Sequence, residues 1–334
     1  MSEFLRRTRP LREAWELEHL APAAAKSIES RGRVRPEEPD DFRTGFERDR
    51  DRIYHSKSFR RLKHKTQVFL NPEGDHFVTR LTHTLQVTQI GRSLAAALGL
   101  NEALTEAICL GHEVGHPPFG HTGEVALSPY VEDEEWLHSE QSVRVLEVLE
   151  PLNLSWEVRD GIRAHTWKVS PGPATVEGAI CRYADRIAYL VHDMDDALRA
   201  GVIAPDDIPR EALECFGRPG RQWVSRMIHA VIEGSLAAGE LTMEEETLGV
   251  MQRFRDFMFE RVYLRPEARR QAGKAVKILQ DLVDHFLEHP QQIPDSYRHQ
   301  ASPERIQVLD YVAGMTDRYA LKLHDDLFRP SGQV

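Results

Sequence analysis

The stretch that most restricts the fold is TVEGAICRYADRIAYLVHDMDDALRAG, Thr175 to Gly201. Val176, Ile180, Ile187, Val191, Met194 and Leu198 recur at helical spacing and form a broad apolar face, and Gly201 follows as a stop. Asp185, Tyr189 and Asp193 fall at i, i+4 and i+8, a polar stripe on another face of the same helix. Alone, such a stripe reads as solvated surface. Beside the histidines clustered elsewhere in the chain it takes on another meaning.

The rest of the chain also predicts helices. In RLTHTLQVTQIGRSLAAALGL, Leu85, Ile90, Leu94 and Leu98 approximate one helical face, and Gly99 ends it. Asn101 is expected to cap the next helix, with Glu102 near its positive end, and Leu104, Ile108 and His112 stand four apart on one face. HSEQSVRVLEVLE, from His138, predicts another helix stopped by Pro151. Further amphipathic helices follow over 222–289, and with Ser302 as the expected cap, Pro303 at the first helical position and Glu304 in the first turn, a helix is expected through RIQVLDYVAGMTDRYALKLHDDLF. Alternating β-branched runs are scarce, so the fold class is all-α. The expected organisation is an N-terminal helical and irregular arm (1–48), a helical catalytic core (49–221) and a C-terminal helical extension packed on it (222–334).

Composition narrows the setting. Of 334 residues 41% are hydrophobic, enough for a sizeable core. A formal charge of −10 argues against a broad nucleic-acid-binding surface. The N-terminus is charged throughout, and the run SLAAALGL is far too short to span a bilayer. Cys109, Cys181 and Cys215 lack ligand or framework spacing. The expectation is a cytoplasmic protein without a membrane segment.

The segment GHEVGHPPFGHTGE, 111–124, holds a literal H-E-x-x-H, the string of a zinc metalloprotease helix. That reading needs His112 and His116 on one face of a continuing helix. Pro117 pushes His116 out of the α region, and Pro118 cannot donate to a helical ladder. The longer pattern H-E-x-x-H-x-x-G-x-x-H fails by register, because Phe119 and Thr122 stand where Gly and His are required. Another grouping fits better. His112 and Glu113 adjoin at a helix end, His83 lies on the preceding helix and Asp185 on the long later one. Helices packed side by side can bring two imidazoles and two carboxylates onto one divalent ion such as Mn, Mg, Co, Fe or Ni. Taken singly, each of these residues is more often packed or solvated than a ligand.

Three segments, RLTHTLQVTQIGRSLA, LGHEVGHPPFGHTGE and YADRIAYLVHDMDDA, together resemble the HD superfamily, specifically its dGTPase-like deoxynucleoside triphosphate triphosphohydrolases. SRGRVRPEE, FERDRDRIYHSKSFRRLKHKTQVF and DYVAGMTDRYAL are similar to that family too, so the likeness runs in order from about residue 30 to 325. It implies an all-α HD-domain fold with additional C-terminal helices, and cleavage of a dNTP into deoxynucleoside and inorganic triphosphate. It implies metal ligands at His83, His112, Glu113 and Asp185, and a catalytic His-acid pair at His121 and Glu124. It implies triphosphate contacts from Arg80, His116 and His138, with Lys168 a weaker match, and sugar contacts from Tyr189 and Asp193, with Gln67 a further position. A homo-oligomer, often a hexamer, and a second dNTP acting as activator are also among its implications.

These residue types suit the chemistry. His121 can exchange a proton near neutral pH, and Glu124 can orient its ring; the letters leave open whether His121 acts as acid or base. One position departs from the family. Its defining pair is His-Asp, and this chain has His112-Glu113, one methylene longer. That keeps open two other readings: an HD phosphohydrolase of a different nucleotide, and a low-activity nucleotide sensor.

Overall fold

The computed structural model describes residues 4–68, 76–132, 135–299 and 301–330. Among them the chain is all-α, with fifteen α-helices and only two isolated β-bridges, Arg33 to Ser155 and Thr66 to Thr79. The first part holds α1 (Arg9–His19), α2 (Gly45–His55), α3 (Lys57–Arg61), α4 (Arg80–Ala97) and α5 (Glu102–Gly111). Next come α6 (His121–Leu127), α7 (His138–Arg144), α8 (Trp156–Ala164) and α9 (Val176–Arg199). The last part holds α10 (Arg210–Phe216), α11 (Arg221–Ala238), α12 (Glu245–Met258), α13 (Pro266–Glu288), α14 (Glu304–Ala313) and α15 (Asp317–Phe328). No helix among the described residues is long and apolar enough to cross a membrane, and all three cysteines are free.

Local chemistry sets the boundaries. The Asn101 side chain accepts from the Leu104 N–H at 3.1 Å and starts α5. Thr175 does the same for α9 through Gly178 at 3.1 Å, and Gly201 follows that helix with φ +64°. Helices α4, α5 and α9 pack against one another, α2 and α8 close on α5, and α11 lies against α4 and α9. Ile90, Leu94, Leu104, Ile108, Ile180, Ile187 and Met194 are fully or almost fully buried there. This larger core extends through Trp223, Phe254 and Met258. A smaller core joins α13, α14 and α15 to Phe119, Ala126 and Leu127, so α13 braces α6.

Three expectations need correcting. Leu85 is 43% exposed, because the inward face of α4 is instead built from His83, Thr84, Val87, Ile90, Gly91 and Leu94. That face is polar where it reaches the site, so an apolar count chose the wrong end of it. The single helix expected beyond Glu304 is two. It breaks at Gly314, where a Cβ would lie 2.5 Å from the Tyr297 hydroxyl, and restarts with Thr316 capping α15 through Tyr319 N–H at 3.3 Å. Pro303, not Ser302, occupies the cap position of α14; the Ser302 hydroxyl accepts from Arg144 at 2.8 Å instead.

Candidate active site

Helix α5 ends at Gly111, and residues 112–120 turn back beneath α4 and α7. Gly115 is required in that turn: a Cβ would sit 2.2 Å from the Ser142 amide nitrogen of α7. Phe119 (φ +64°) and Gly120 (φ +59°) both adopt the left-handed region, which costs a non-glycine residue energy and persists only when neighbours impose it. Here the Asp317 carboxylate accepts from the Phe119 N–H at 3.1 Å and the Thr66 N–H at 3.0 Å. Buried Lys65 donates to the carbonyls of His116 and, at 3.0 Å, Ala313. The turn is thus tied to α14 and α15.

The turn and two helices assemble the first cluster. Ligand atoms of His83, His112 and Glu113 lie within 4.8 Å of one another, all three residues buried. Asp185 Oδ1 stands 3.1 Å from His83 Nε2 and 3.9 Å from His112 Nε2. His112 Nδ1 is 2.6 Å from the Cys109 carbonyl, so that nitrogen carries the hydrogen and Nε2 keeps its lone pair. His112 Nε2 is buried without a hydrogen-bond partner and faces Glu113 Oε1 at 3.6 Å. An unsatisfied imidazole lone pair beside two carboxylates and a second imidazole is a donor set that fits a divalent cation. Burial opposes ionisation of Asp185, but hydrogen bonding and charge from His83 hold its carboxyl down at about 2.

Arg80, 1% exposed, donates to Glu113 Oε2. Its guanidinium leaves no room for a side chain at Gly120, where a Cβ would be 2.1 Å from Nη2. Burial alone would push the Glu113 carboxyl up; Arg80 and His116 overturn this and hold it well below the usual range. The extra methylene at Glu113 therefore has a visible use: one oxygen reaches Arg80 while the other faces His112 and, at 3.4 Å, His116.

The second cluster adjoins the first. His116 stacks on His138 with ring centroids 3.8 Å apart. Burial, then Arg80, pushes the His116 pKa well below its usual value, so the ring is neutral. Glu124 bridges His121 Nδ1 at 2.6 Å and His138 Nδ1 at 2.7 Å. The His121 side chain is 77% exposed while that of Glu124 is 6% exposed, so an open imidazole is steered by a buried carboxylate.

Along α9, Tyr189 is half-buried near Arg255. Asp193 accepts from the Tyr263 hydroxyl at 2.8 Å, and its Oδ1 is buried without a partner. Gln67 Oε1 is likewise buried and unpartnered. Lys168 is set apart: its side chain is 58% exposed and pairs with exposed Glu135 at 2.6 Å. Sequence reasoning missed His165, Tyr263, Lys65 and Asp317. Only Asp317 carried a local signal, the Thr-Asp pair of a helix start.

Asp193 yields a pH prediction. Burial pushes its carboxyl up to about 7 despite donation from Tyr263. The folded protein then holds a proton that the unfolded chain has lost above its ordinary carboxylate range. The stability this provides is complete at low pH and disappears as pH rises to about 7. Relative to Asp193→Asn, the native protein is expected to lose roughly 2–3 kcal/mol between pH 5 and 8. Chemical denaturation of both proteins across that range checks this; parallel curves would refute it.

Comparison with known proteins gives the family and the fold. The HD domain family matches residues 80–190, and the phosphohydrolase-associated domain matches residues 241–326. A deoxyguanosinetriphosphate triphosphohydrolase-like protein of Caldanaerobacter subterraneus subsp. tengcongensis is 47% identical over 332 residues, covering 97% of each chain. A protein of the same description from Desulfatibacillum aliphaticivorans is 44% identical, covering 96% of this chain and 98% of its own. Among solved structures, a hypothetical protein from Aquifex aeolicus aligns over 85% of this chain and 68% of its own, with a TM-score of 0.50 and 22% identity, a likeness of fold.

Proposed function

The chain belongs to the deoxyguanosinetriphosphate triphosphohydrolase-like group of HD-domain phosphohydrolases, and from that premise we propose that it hydrolyses deoxynucleoside triphosphates to a deoxynucleoside and inorganic triphosphate. The observation that carries the reading is the continuity of the two clusters. Glu113 Oε1 faces His112 at 3.6 Å and His116 at 3.4 Å, His116 stacks on His138, and His138 meets Glu124. A cation site and a proton-transfer pair therefore share one wall.

His83, His112, Glu113 and Asp185 would hold the divalent ion, which when bound supplies Lewis acidity and neutralises phosphate charge. The remaining steps belong to side chains. Arg80 and His116 line the stretch between the clusters, a position suited to a triphosphate. His121, held through Nδ1 by Glu124, presents its other nitrogen to the open side. There it can give a proton to the departing 5′-oxygen. The unpartnered oxygens of Asp193 and Gln67 are acceptors suited to sugar hydroxyls.

The test is a substrate panel with Mn present: the four dNTPs, the matching ribonucleotides, and deoxynucleoside monophosphates. Turnover of dNTPs is expected. Turnover confined to monophosphates, or binding without turnover, would contradict the proposal. The second outcome has one structural observation in its favour, the Arg80 contact that occupies Glu113. Arg80 competes with a cation for that carboxylate. Glu113→Asp is therefore expected to tighten Mn binding about tenfold by calorimetry; unchanged affinity would show that the longer side chain does not limit the metal.

A further inference from the structure

A second charged surface lies apart from the histidine clusters and shares none of their residues. Lys57, Arg60, Arg61, Lys63, His64 and Thr316 line a cavity of about 410 Å³ between α3, the turn after it and the start of α15. Among the described residues no carboxylate lines it, and none of its four Lys and Arg side chains forms an ion pair. Elsewhere arginines are paired: Arg43, Arg52, Arg144 and Arg199 each meet a carboxylate at 2.5–2.8 Å. The chain has 53 acidic residues against 43 Lys and Arg, so a cavity walled by unopposed cations is not what composition supplies.

Two carboxylates reach these walls, and both are engaged by backbone N–H groups. Glu150 accepts from the Lys57 and Ser58 N–H groups, each at 2.7 Å, and so caps α3. Asp317, next to Thr316, accepts from the N–H groups of Thr66 and Phe119. Other atoms lack an acceptor. Arg61 is half-buried, and its Nε is buried without a hydrogen-bond partner, which costs free energy until an acceptor completes it. The Thr316 hydroxyl accepts from the Tyr319 N–H at 3.3 Å, which leaves its own hydrogen to donate at the positive end of α15. Lys57, Arg60, Lys63 and His64 are exposed. The positive charges gathered here repel one another, and an anion with several charges offsets that repulsion.

The lining also selects among anions. Apart from the His64 ring it holds no aromatic side chain, so a nucleic-acid base finds no broad stacking platform. It holds no carboxylate or side-chain amide to read a base edge. What it can recognise is phosphate charge at several points along a chain. We propose that this cavity binds a short inorganic polyphosphate, triphosphate being long enough to meet α3, Lys63 and Thr316 together. The proposed reaction releases that anion; this link rests on the proposed function, and the site itself does not. Both walls continue into supports of the catalytic turn. Lys65 and Thr66 follow His64 and bond to the His116 carbonyl and to Asp317, and Asp317 follows Thr316. A bound polyphosphate therefore ties α3 to the start of α15 and stabilises the folded chain by mass action.

Calorimetry of the metal-free full chain with sodium triphosphate tests this. Binding is expected to weaken roughly tenfold for each cation removed, hence about a hundredfold in Arg60→Ala with Lys63→Ala. Both side chains are exposed, so the fold is expected to survive. Lys274→Ala, at an exposed position of α13, is expected to leave the affinity within about twofold. Triphosphate should also raise the melting temperature of the native protein and not that of the double variant. Unchanged affinity in the double variant overturns the proposal, and so does inorganic phosphate binding as tightly as triphosphate. The four dNTPs carry the same phosphate chain and are expected within about threefold of triphosphate and of one another at this site. A dNTP that binds over about tenfold more tightly than triphosphate, and loses that binding in the double variant, would make this a nucleotide site instead. A single-stranded oligonucleotide that behaves so would make it a nucleic-acid surface; either result contradicts the proposal. A protein that binds triphosphate here and turns over no dNTP would end the functional reading alone.

Discussion

His121→Ala is expected to lower kcat by about a hundredfold to ten-thousandfold while leaving the fold and metal binding intact. The imidazole is exposed, so truncating it leaves no cavity and no buried orphan beyond Glu124 Oε2, while Oε1 still accepts from His138. The same geometry makes His121 the group best placed to meet a leaving oxygen from solvent-accessible space. Glu124→Gln should cost as much or more, for a different reason. It removes the buried charge shared by two rings and exchanges an acceptor for a donor facing His138. Steady-state kinetics with dNTP, alongside metal content by atomic emission, checks both. Near-native kcat in His121→Ala would remove this residue from the proton-transfer step.

The second large effect falls on stability. Arg80 and Glu113 form an ion pair whose side chains are 2% and 5% exposed. Breaking such a pair leaves one charge buried without compensation, so Arg80→Met is expected to destabilise the metal-free protein by about 3–5 kcal/mol. Two further results distinguish this from a packing defect. Arg80→Met with Glu113→Gln should recover most of the loss, because replacing both charges is close to neutral. Added Mn should also stabilise Arg80→Met more than the native protein, since the cation takes over the countercharge to Glu113. Equilibrium denaturation of the three proteins, with and without Mn, reads all of this. A loss below about 1 kcal/mol in the single variant would mean that the pair is solvated.

Much of the architecture was legible because its signals are local. The apolar spacing of α9 and the Asn101 cap of α5 depend on residues within a few positions of one another. The proline argument at His116 was equally local, and the helix does end before it, at Gly111. The grouping of His83, His112, Glu113 and Asp185 was read from residue type and helix position and was then implied by the family resemblance, and the packing of α4, α5 and α9 brings the four side chains together. What escaped depends on distant contacts. The break at Gly314 exists because Tyr297 approaches there and because Asp317 must reach back to Phe119 and Thr66. His165 and Tyr263 look like ordinary helix-end residues until α7 and α9 supply their partners. Glu113 is the instructive case: the letters show a departure from His-Asp, and only the fold shows where the added length goes, onto Arg80.

The most direct measurement follows the oxygen of water. Hydrolysis of a dNTP in water labelled with heavy oxygen, with Mn present and products read by mass spectrometry, reports both the bond broken and the fragments released. Attack at the α-phosphorus with departure of the 5′-oxygen predicts unlabelled deoxynucleoside and inorganic triphosphate carrying one heavy oxygen. Monophosphate with pyrophosphate, diphosphate with phosphate, or label in the deoxynucleoside hydroxyl would contradict it.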